Sequence, residues 1–331
     1  MTPNPSIDYS ARSAGAATLP APARGASSGG PADEDLTLKN ARRPRPLRTL
    51  AVTGGKGGVG KTNVSVAIAL YAAQTGLRVA LLDADFGLAK IHVLLGLRPQ
   101  ATMHDVLEGR MRLMDTLLIG PSNIRILPGA SGLAEMANMD EGQRAILLDE
   151  LGTLSSAFDL LIIDTGAGIA ENVIAFVAAA DEAVVVTTPE PTALADAYAM
   201  IKVVGARRPD LPFHLLVNNA ISPAEADASA QRIAQVAAKF LSRPISYVGS
   251  IPLDPVVGQA VRANKAFLAA HPHSPAARAV MRIADRLLWS NGKPLDPSAS
   301  TPATPAAPHS PSAAVPTFAE RLGAIFGIKR R

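Results

Sequence analysis

The chain has 331 residues, a formal net charge of +4 and no cysteine. The lack of cysteine excludes disulfides, thiolate zinc sites and iron–sulfur clusters, and it is compatible with a reducing cytoplasm. No apolar run reaches the ~18 residues that a spanning helix needs, and the N-terminal stretch lacks the apolar core of a secretory signal. Much of this net charge lies in "ARRPRPLR" (residues 41–48) and "KRR" (residues 329–331), so it does not indicate a groove for nucleic acid.

Composition divides the chain into four predicted segments. Residues 1–47 are rich in Ala, Pro, Ser and Gly without periodicity, which predicts disorder. Residues 48–290 alternate short β-branched runs with helical stretches, which is typical of a doubly wound α/β domain with a mostly parallel sheet and helices on both faces. Residues 291–316 read as a Pro/Ala/Ser linker, and residues 317–331 regain an apolar pattern.

The strongest motif follows the first predicted strand, Thr49–Thr53. Gly55 to Thr62 complete the phosphate-binding pattern G-x-x-x-x-G-K-[ST], and a helix predicted over Lys61–Gln74 follows directly. The glycines let backbone N–H groups converge on phosphate oxygens beside a positive helix end. Lys61 is expected to neutralise the β- and γ-phosphates, and Thr62 to ligate Mg²⁺. The predicted nucleotide-binding residues of this loop are Gly55, Gly57, Gly58, Val59, Gly60, Lys61, Thr62 and Asn63.

Acidic residues end two of the later strands. The further predicted strands are Val79–Asp83, Ile124–Leu127, Leu160–Asp164, Ala183–Thr187, His214–Asn218 and Ile245–Ile251. "LLDAD" ends with Asp83 and Asp85, and "LLIIDTGAG" places Asp164 after four apolar residues, where phosphate-loop proteins hold Mg²⁺. Asp83 and Asp164 are therefore predicted metal ligands together with Thr62. The alternative is that each aspartate only caps the following turn.

Taken together, these motifs resemble a known family. "KGGVGKT" with its additional lysine, "LLDADFGLAKIHVLLGL" and "LLIIDTGAG" are similar to the deviant Walker A ATPases of the MinD/ParA superfamily. Within that superfamily they resemble most the flagellar-number regulators called FlhG or FleN. The stretches "TMHDVLEG", "ILPGASGL", "VVTTPEPTALADAYAMIKVV" and "VGSIPLDPVV" extend the resemblance over almost all of residues 48 to 270.

The resemblance implies a slow ATPase that uses ATP and Mg²⁺ and forms a homodimer when ATP is bound. Lys56 would cross to the phosphates held by the partner subunit, much as an arginine finger does, and Asp85 would orient the attacking water. Asn218 matches a family position near the adenine. The implied protein partners are an FlhF-type GTPase or a flagellar transcription regulator. Residues 1–47 show no Asp-Gln-Ala motif of the kind with which flagellar members stimulate that GTPase.

The last predicted element is a short amphipathic helix. Phe318, Leu322, Ile325 and Phe326 would share one of its faces, and the cations of residues 329–331 close it. One interpretation is a helix that docks back on its own domain. The other is that residues 317–331 anchor the protein on anionic lipid. The protein would then be cytoplasmic and peripheral on the cytoplasmic face of the inner membrane, with the cell pole as one option for its position.

The function that the resemblance predicts is a membrane-associated ATP switch that controls flagellar number or placement. Septum-site determination of the MinD type and DNA partitioning of the ParA type are alternatives, and a third is a scaffold that binds ATP without hydrolysing it. The terminal helix and the flagellar-like stretches argue against direct DNA binding. The presence of both Lys56 and Asp85 favours hydrolysis over the scaffold.

Overall fold

The structure is a computed structural model that describes residues 46–85, 90–101, 103–127, 140–241, 243–290, 293–294 and 315–327. The predicted disordered segment lies outside the described residues up to residue 45. Most of the predicted linker lies outside them as well. Within the described ranges, no helix combines the length and the apolar character needed to cross a membrane.

Eight strands of the described chain form one twisted sheet. They are β1 (Arg48–Thr53), β2 (Val79–Ala84), β3 (Leu118–Ile119), β4 (Arg125–Leu127), β5 (Leu160–Thr165), β6 (Glu182–Thr187), β7 (Phe213–Ala220) and β8 (Ser246–Pro252). Their order is β3-β4-β2-β5-β1-β6-β7-β8. Every pair is parallel except β3 with β4. In a separate two-stranded sheet, β9 (Trp289–Ser290) pairs antiparallel with β10 (Lys293–Pro294).

Helices cover both faces of this sheet. In chain order they are α1 (Lys61–Gln74), α2 (Ile91–Leu94), α3 (Met103–Leu107), α4 (Leu113–Thr116), α5 (Glu141–Ala157), α6 (Glu171–Ala179), α7 (Pro191–Arg207), α8 (Pro223–Leu241), α9 (Pro255–Arg262), α10 (Phe267–Ala270), α11 (Pro275–Leu288) and α12 (Phe318–Ile325). One buried cluster joins the sheet to α1, α10 and α11, and the other joins it to α5, α6, α7, α8 and α12. The predicted doubly wound α/β fold is confirmed.

The C-terminal helix α12 docks on the domain. A capping box starts it: the Glu320 N–H donates to the Thr317 hydroxyl oxygen, and the Thr317 N–H donates to the Glu320 carboxylate. Phe318 and Leu322 are buried, and the Phe318 ring lies 6.3 Å from that of Phe176 on α6. The predicted apolar face therefore exists, and in this structure it is covered by the domain, as the first of the two interpretations expected. Residues 328–331 lie outside the described part of the chain.

The sheet order brings the acidic strand ends beside the glycine loop. β5 lies between β1 and β2, with Asp164 paired in register with Val52 on one side and with Asp83 on the other. The carboxyl ends of these parallel strands form one edge, where open α/β sheets bind their ligands. The glycine loop leaves β1 at the same edge, and α1 starts directly after it.

Candidate nucleotide site

The glycines of the loop serve different purposes. A Cβ on Gly55 would lie 2.2 Å from the backbone oxygen of Asp196 on α7, so Gly55 is needed for close packing. Gly60 has a φ of +95°, and a Cβ there would lie 2.3 Å from the Asn218 side chain. Gly57 and Gly58 are exposed, and Cβ atoms on them would meet nothing closer than 3.8 Å. These two glycines leave the backbone open to a phosphate.

Lys61 is the first residue of α1 and is 8% exposed. Its ammonium donates to the backbone oxygen of Lys56 at 3.3 Å. Burial lowers its pKa, while the negative charges of Asp164 and Asp85 act in the opposite direction. A phosphate bound in the loop would supply the compensating negative charge that a buried ammonium needs.

Asp164 sits at the end of β5 and is 1% exposed. The Ser65 hydroxyl donates to its Oδ1 at 2.9 Å, and both Ser65 and Thr62 act to lower the pKa of this carboxyl group. Its Oδ2 is buried and has no hydrogen-bond partner among the described residues. Burial is the main cause that raises the pKa of Asp164 to about 7. A cation at Oδ2 would satisfy the orphaned oxygen and favour the ionised form, so Thr62 and Asp164 fit a Mg²⁺ site.

Asp83, the other predicted metal ligand, uses its carboxylate differently. Its Oδ2 accepts the backbone N–H groups of Lys90 and Ile91 at 2.8 and 2.9 Å, and its Oδ1 accepts that of Asp85 at 3.3 Å. These bonds fix the chain on both sides of residues 86–89 and cap the start of α2. The geometry favours the capping alternative for Asp83, and a direct role at the metal stays a prediction.

Asp85, the predicted water-orienting residue, contacts Lys90 and lies close to Gly166. The Lys90 ammonium contacts its Oδ2 at 2.8 Å. Gly166 directly follows β5, and a Cβ atom added to it would lie 3.4 Å from Asp85 Oδ1. The Asp85 carboxylate therefore packs close to this segment. Asp85 is therefore placed between the segment that follows β2 and the segment that follows β5.

Lys56, the additional lysine, does not turn into its own loop. Its ammonium contacts Glu190 Oε2 at 2.5 Å and Thr192 Oγ1 at 3.1 Å, at the start of α7. The side chain of Lys56 is 37% exposed and that of Glu190 is 63% exposed. The additional lysine of the loop is thus held at the surface, whereas Lys61 of the same loop is buried.

Asn218 and Asn63 complete the predicted set. The Asn218 amide, near the end of β7, donates to the backbone oxygen of Val59 at 2.8 Å and so ties the glycine loop to this strand. The Asn63 Oδ1 is buried without a partner among the described residues. The predicted position of Asn218 near an adenine stays a prediction.

Sequence reasoning missed several residues of this site. Ser65 could have been found, because it lies three residues after Thr62 on α1 and so shares its helix face. Glu190, Thr192 and Asp196 reach the loop only through the sheet order, more than 130 residues away in sequence. No local pattern could have indicated these contacts.

Comparisons with known proteins agree with this geometry. A family model described as an AAA domain matches residues 47–211, and one described as a NUBPL iron-transfer P-loop NTPase matches residues 146–288. The antiactivator FleN of Pseudomonas aeruginosa is 44% identical over 76% of this chain and 89% of its own. The flagellum site-determining protein YlxH of Helicobacter pylori is 34% identical over 76% of this chain and 87% of its own. The septum site-determining protein MinD of Pyrococcus horikoshii, solved with Mg-ADP, is 25% identical with a TM-score of 0.60, over 72% of this chain and 95% of its own.

The sheet, the glycine loop and the strand-end aspartate define a P-loop ATPase of the MinD/ParA superfamily, with ATP and Mg²⁺ as its cofactors. Within that superfamily, the chain belongs to the family of the flagellar regulators FleN and FlhG.

Proposed function

We propose that this chain is an ATP-dependent switch that controls the number or placement of flagella. It forms a face-to-face homodimer when ATP is bound, hydrolyses ATP slowly, and acts on the cytoplasmic face of the inner membrane. An FlhF-type GTPase or a flagellar transcription regulator is its proposed partner. Similarity to FleN and to YlxH, each over 76% of the chain, supports the flagellar role.

The position of Lys56 carries the dimer part of the proposal. Its ion pair with Glu190 is exposed, and exposed pairs contribute little stability, so Lys56 can leave Glu190 at small cost. Since Lys61 already serves the phosphates of the same loop, a second cation is useful where charge develops during hydrolysis. Delivered by the partner subunit, Lys56 would tie hydrolysis to dimerisation, as an arginine finger ties it to a partner.

The remaining site residues have different roles within each subunit. The open backbone at Gly57 and Gly58 and the ammonium of Lys61 bind the phosphates. Asp85 orients the attacking water. Thr62 and Asp164 hold Mg²⁺, which neutralises phosphate charge when it is bound.

The membrane part of the proposal requires α12 to leave the domain. Arg321 holds it: its guanidinium donates to the Ala179 backbone oxygen and to Asp181 Oδ1, both at 2.6 Å. The contacted helix, α6, begins seven residues after Asp164 and ends at this contact. A shift of α6 on ATP binding would loosen α12. Two released helices on one dimer would bind lipid together far better than a single helix does.

Septum placement of the MinD type is the second candidate. It is favoured by the 25% identity and TM-score of 0.60 to MinD structures, including a MinC:MinD complex from Aquifex aeolicus that covers 78% of this chain and 100% of its own. However, septum-site relatives such as the proteins of Nephroselmis olivacea and Chlorella vulgaris match only 49% and 45% of this chain. The flagellar relatives match more of it, so the flagellar role is preferred.

Counting flagella tests the proposal in cells. The native gene is replaced by a Lys61→Ala copy, with Lys265→Ala, an exposed lysine outside the nucleotide site, as the matched control. Cells with Lys61→Ala should carry an abnormal number of flagella, while the control should look like the wild type. Normal flagella together with misplaced septa would instead support the MinD-type role.

A further inference from the structure

A third lysine reaches the nucleotide site from the segment that follows β2. The Lys90 ammonium contacts Asp85 Oδ2 at 2.8 Å, and the side chains are 53% and 19% exposed, respectively. A pair with one half-exposed member contributes little to the stability of the fold. The fold therefore depends little on this pair, and Lys90 can exchange Asp85 for another anion at small cost.

Hydrogen bonds fix the backbone of Lys90, whereas its side chain is held only by the partly exposed ion pair with Asp85. The N–H groups of Lys90 and Ile91 donate to Asp83, whose carboxylate is fully buried. This contact anchors the Lys90 backbone, while the four-carbon side chain keeps its rotameric freedom. Lys90 can thus exchange partners without a change in the backbone.

Lys90 and Asp85 both lie within electrostatic reach of the phosphate-binding lysine. Burial is the largest influence and lowers the pKa of Lys61, Asp85 acts to raise it, and Lys90 acts to lower it further. Asp85 also lies against Gly166, in the segment that follows the metal-site residue Asp164. The pair therefore lies close to the residues that would hold the phosphates and Mg²⁺.

We propose that Lys90 senses the γ-phosphate of ATP: its ammonium leaves Asp85 for a γ-phosphate oxygen, and the freed carboxylate orients the attacking water. ADP offers no anion at that position, so the contact between Lys90 and Asp85 forms again. The inference rests on the water-orienting role proposed above for Asp85. It assigns to Lys90 the discrimination between ATP and ADP.

Charge explains both the exchange and its consequence. The γ-phosphate carries more negative charge than a carboxylate, so at equal distance it attracts the ammonium more strongly. Without Lys90, the unpaired Asp85 would repel the γ-phosphate, whereas the shorter ADP would be affected much less. Loss of Lys90 should therefore weaken the binding of ATP selectively.

Calorimetric titration of the full chain with Mg²⁺ tests this selectivity. Lys90→Met keeps the length of the side chain and removes its charge. We expect it to weaken the binding of a non-hydrolysable ATP analogue about tenfold, and that of ADP by less than about twofold. Lys90→Arg keeps the charge and should bind both nucleotides nearly as the wild type does.

A second variant tests the role of Asp85 in the effect. Asp85→Asn combined with Lys90→Met should recover most of the affinity for the ATP analogue, because the repelling carboxylate is gone. An equal loss for the analogue and for ADP in Lys90→Met, or no loss for either, would overturn the proposal. Because titration reads binding in each subunit, the affinity ratio stays interpretable even if the proposed dimer switch fails.

Discussion

The hydroxyl of Ser65 donates a hydrogen bond to Asp164 Oδ1 across 2.9 Å and so joins the first helix to the end of the neighbouring strand. Both side chains are buried, at 0% and 1% exposure. Because this bond fixes one oxygen of the carboxylate, the other oxygen is left for the metal. Ser65 is thus a positioning residue for Asp164.

Ser65→Ala should weaken Mg²⁺-dependent nucleotide binding. A hydrogen bond to a charged group contributes ~1.5–3 kcal/mol, so we expect about a tenfold or greater loss of ADP affinity in the presence of Mg²⁺. Ser229→Ala is the matched control, since Ser229 is buried on α8 and donates only to the backbone oxygen of Glu225. Titration with and without Mg²⁺ reads the effect. If Ser65→Ala lost as much ADP affinity without Mg²⁺ as with it, Ser65 would stabilise the fold but would not position Asp164 for the metal.

Asp164 should make the stability of the nucleotide-free protein depend on pH. Burial raises its pKa to about 7 from the ordinary 3.8, so the folded state binds this proton more tightly than the unfolded state does. The resulting stability is fully present below the unfolded pKa and is lost as the pH rises through about 7. Asp164→Asn removes this dependence, and its thermal stability relative to the wild type should increase from about pH 5 to about pH 8. The control is Asp115→Asn, an exposed position where we expect no such trend. If the stability difference between Asp164→Asn and the wild type does not change with pH, the raised pKa of Asp164 is wrong.

Two neighbouring glycines should respond in opposite ways to alanine. Gly55→Ala forces a Cβ against the Asp196 backbone at 2.2 Å, so it should lower the melting temperature by several degrees, as overpacking costs ~1–3 kcal/mol. Gly57→Ala has no contact closer than 3.8 Å and should leave the melting temperature unchanged while weakening ATP binding. Calorimetry of both variants reads the two effects separately. Undiminished ATP affinity in Gly57→Ala would show that the open backbone is not the phosphate cradle.

Release of the C-terminal helix should expose its lipid-binding face. Asp181→Asn removes the charge that holds Arg321 and leaves the sequence of the helix unchanged. We expect this variant to pellet with anionic liposomes in the presence of ADP, where the wild type stays mostly in solution. Phe326→Glu should abolish pelleting with ATP. The control is Asp115→Asn, which breaks another Arg–Asp pair. If Asp181→Asn and the wild type pellet equally, the ion pair of Arg321 with Asp181 does not hold the helix on the domain.

Local patterns explain what the sequence predicted well. Each predicted strand contains several β-branched or aliphatic residues, and α1 was predicted with its observed bounds because a glycine loop precedes it and Gly76 follows it. β3 was missed because it has only two residues and pairs antiparallel at the sheet edge. Nothing in so short a segment distinguishes a strand from a loop.

Contacts between distant residues explain what the sequence could not predict. The contacts of Lys56 with Glu190 and Thr192 depend on β6 lying next to β1, which no spacing in the loop reveals. The apolar face of α12 has the same pattern whether it covers α6 or enters lipid. Only the buried positions of Phe318 and Leu322 show which surface it covers in this structure.

The central claim is that Lys56 acts across the dimer, and mixing two inactive variants tests it most directly. Lys56→Ala keeps Asp85, and Asp85→Ala keeps Lys56, so a mixed dimer has one complete site only if Lys56 works in the partner subunit. ATP hydrolysis is measured for each variant alone and for an equal mixture. We expect almost no activity alone, and a mixture that regains about a quarter of the wild-type rate, since random pairing makes half of the dimers mixed with one working site each. A mixture as inactive as its components would contradict the account.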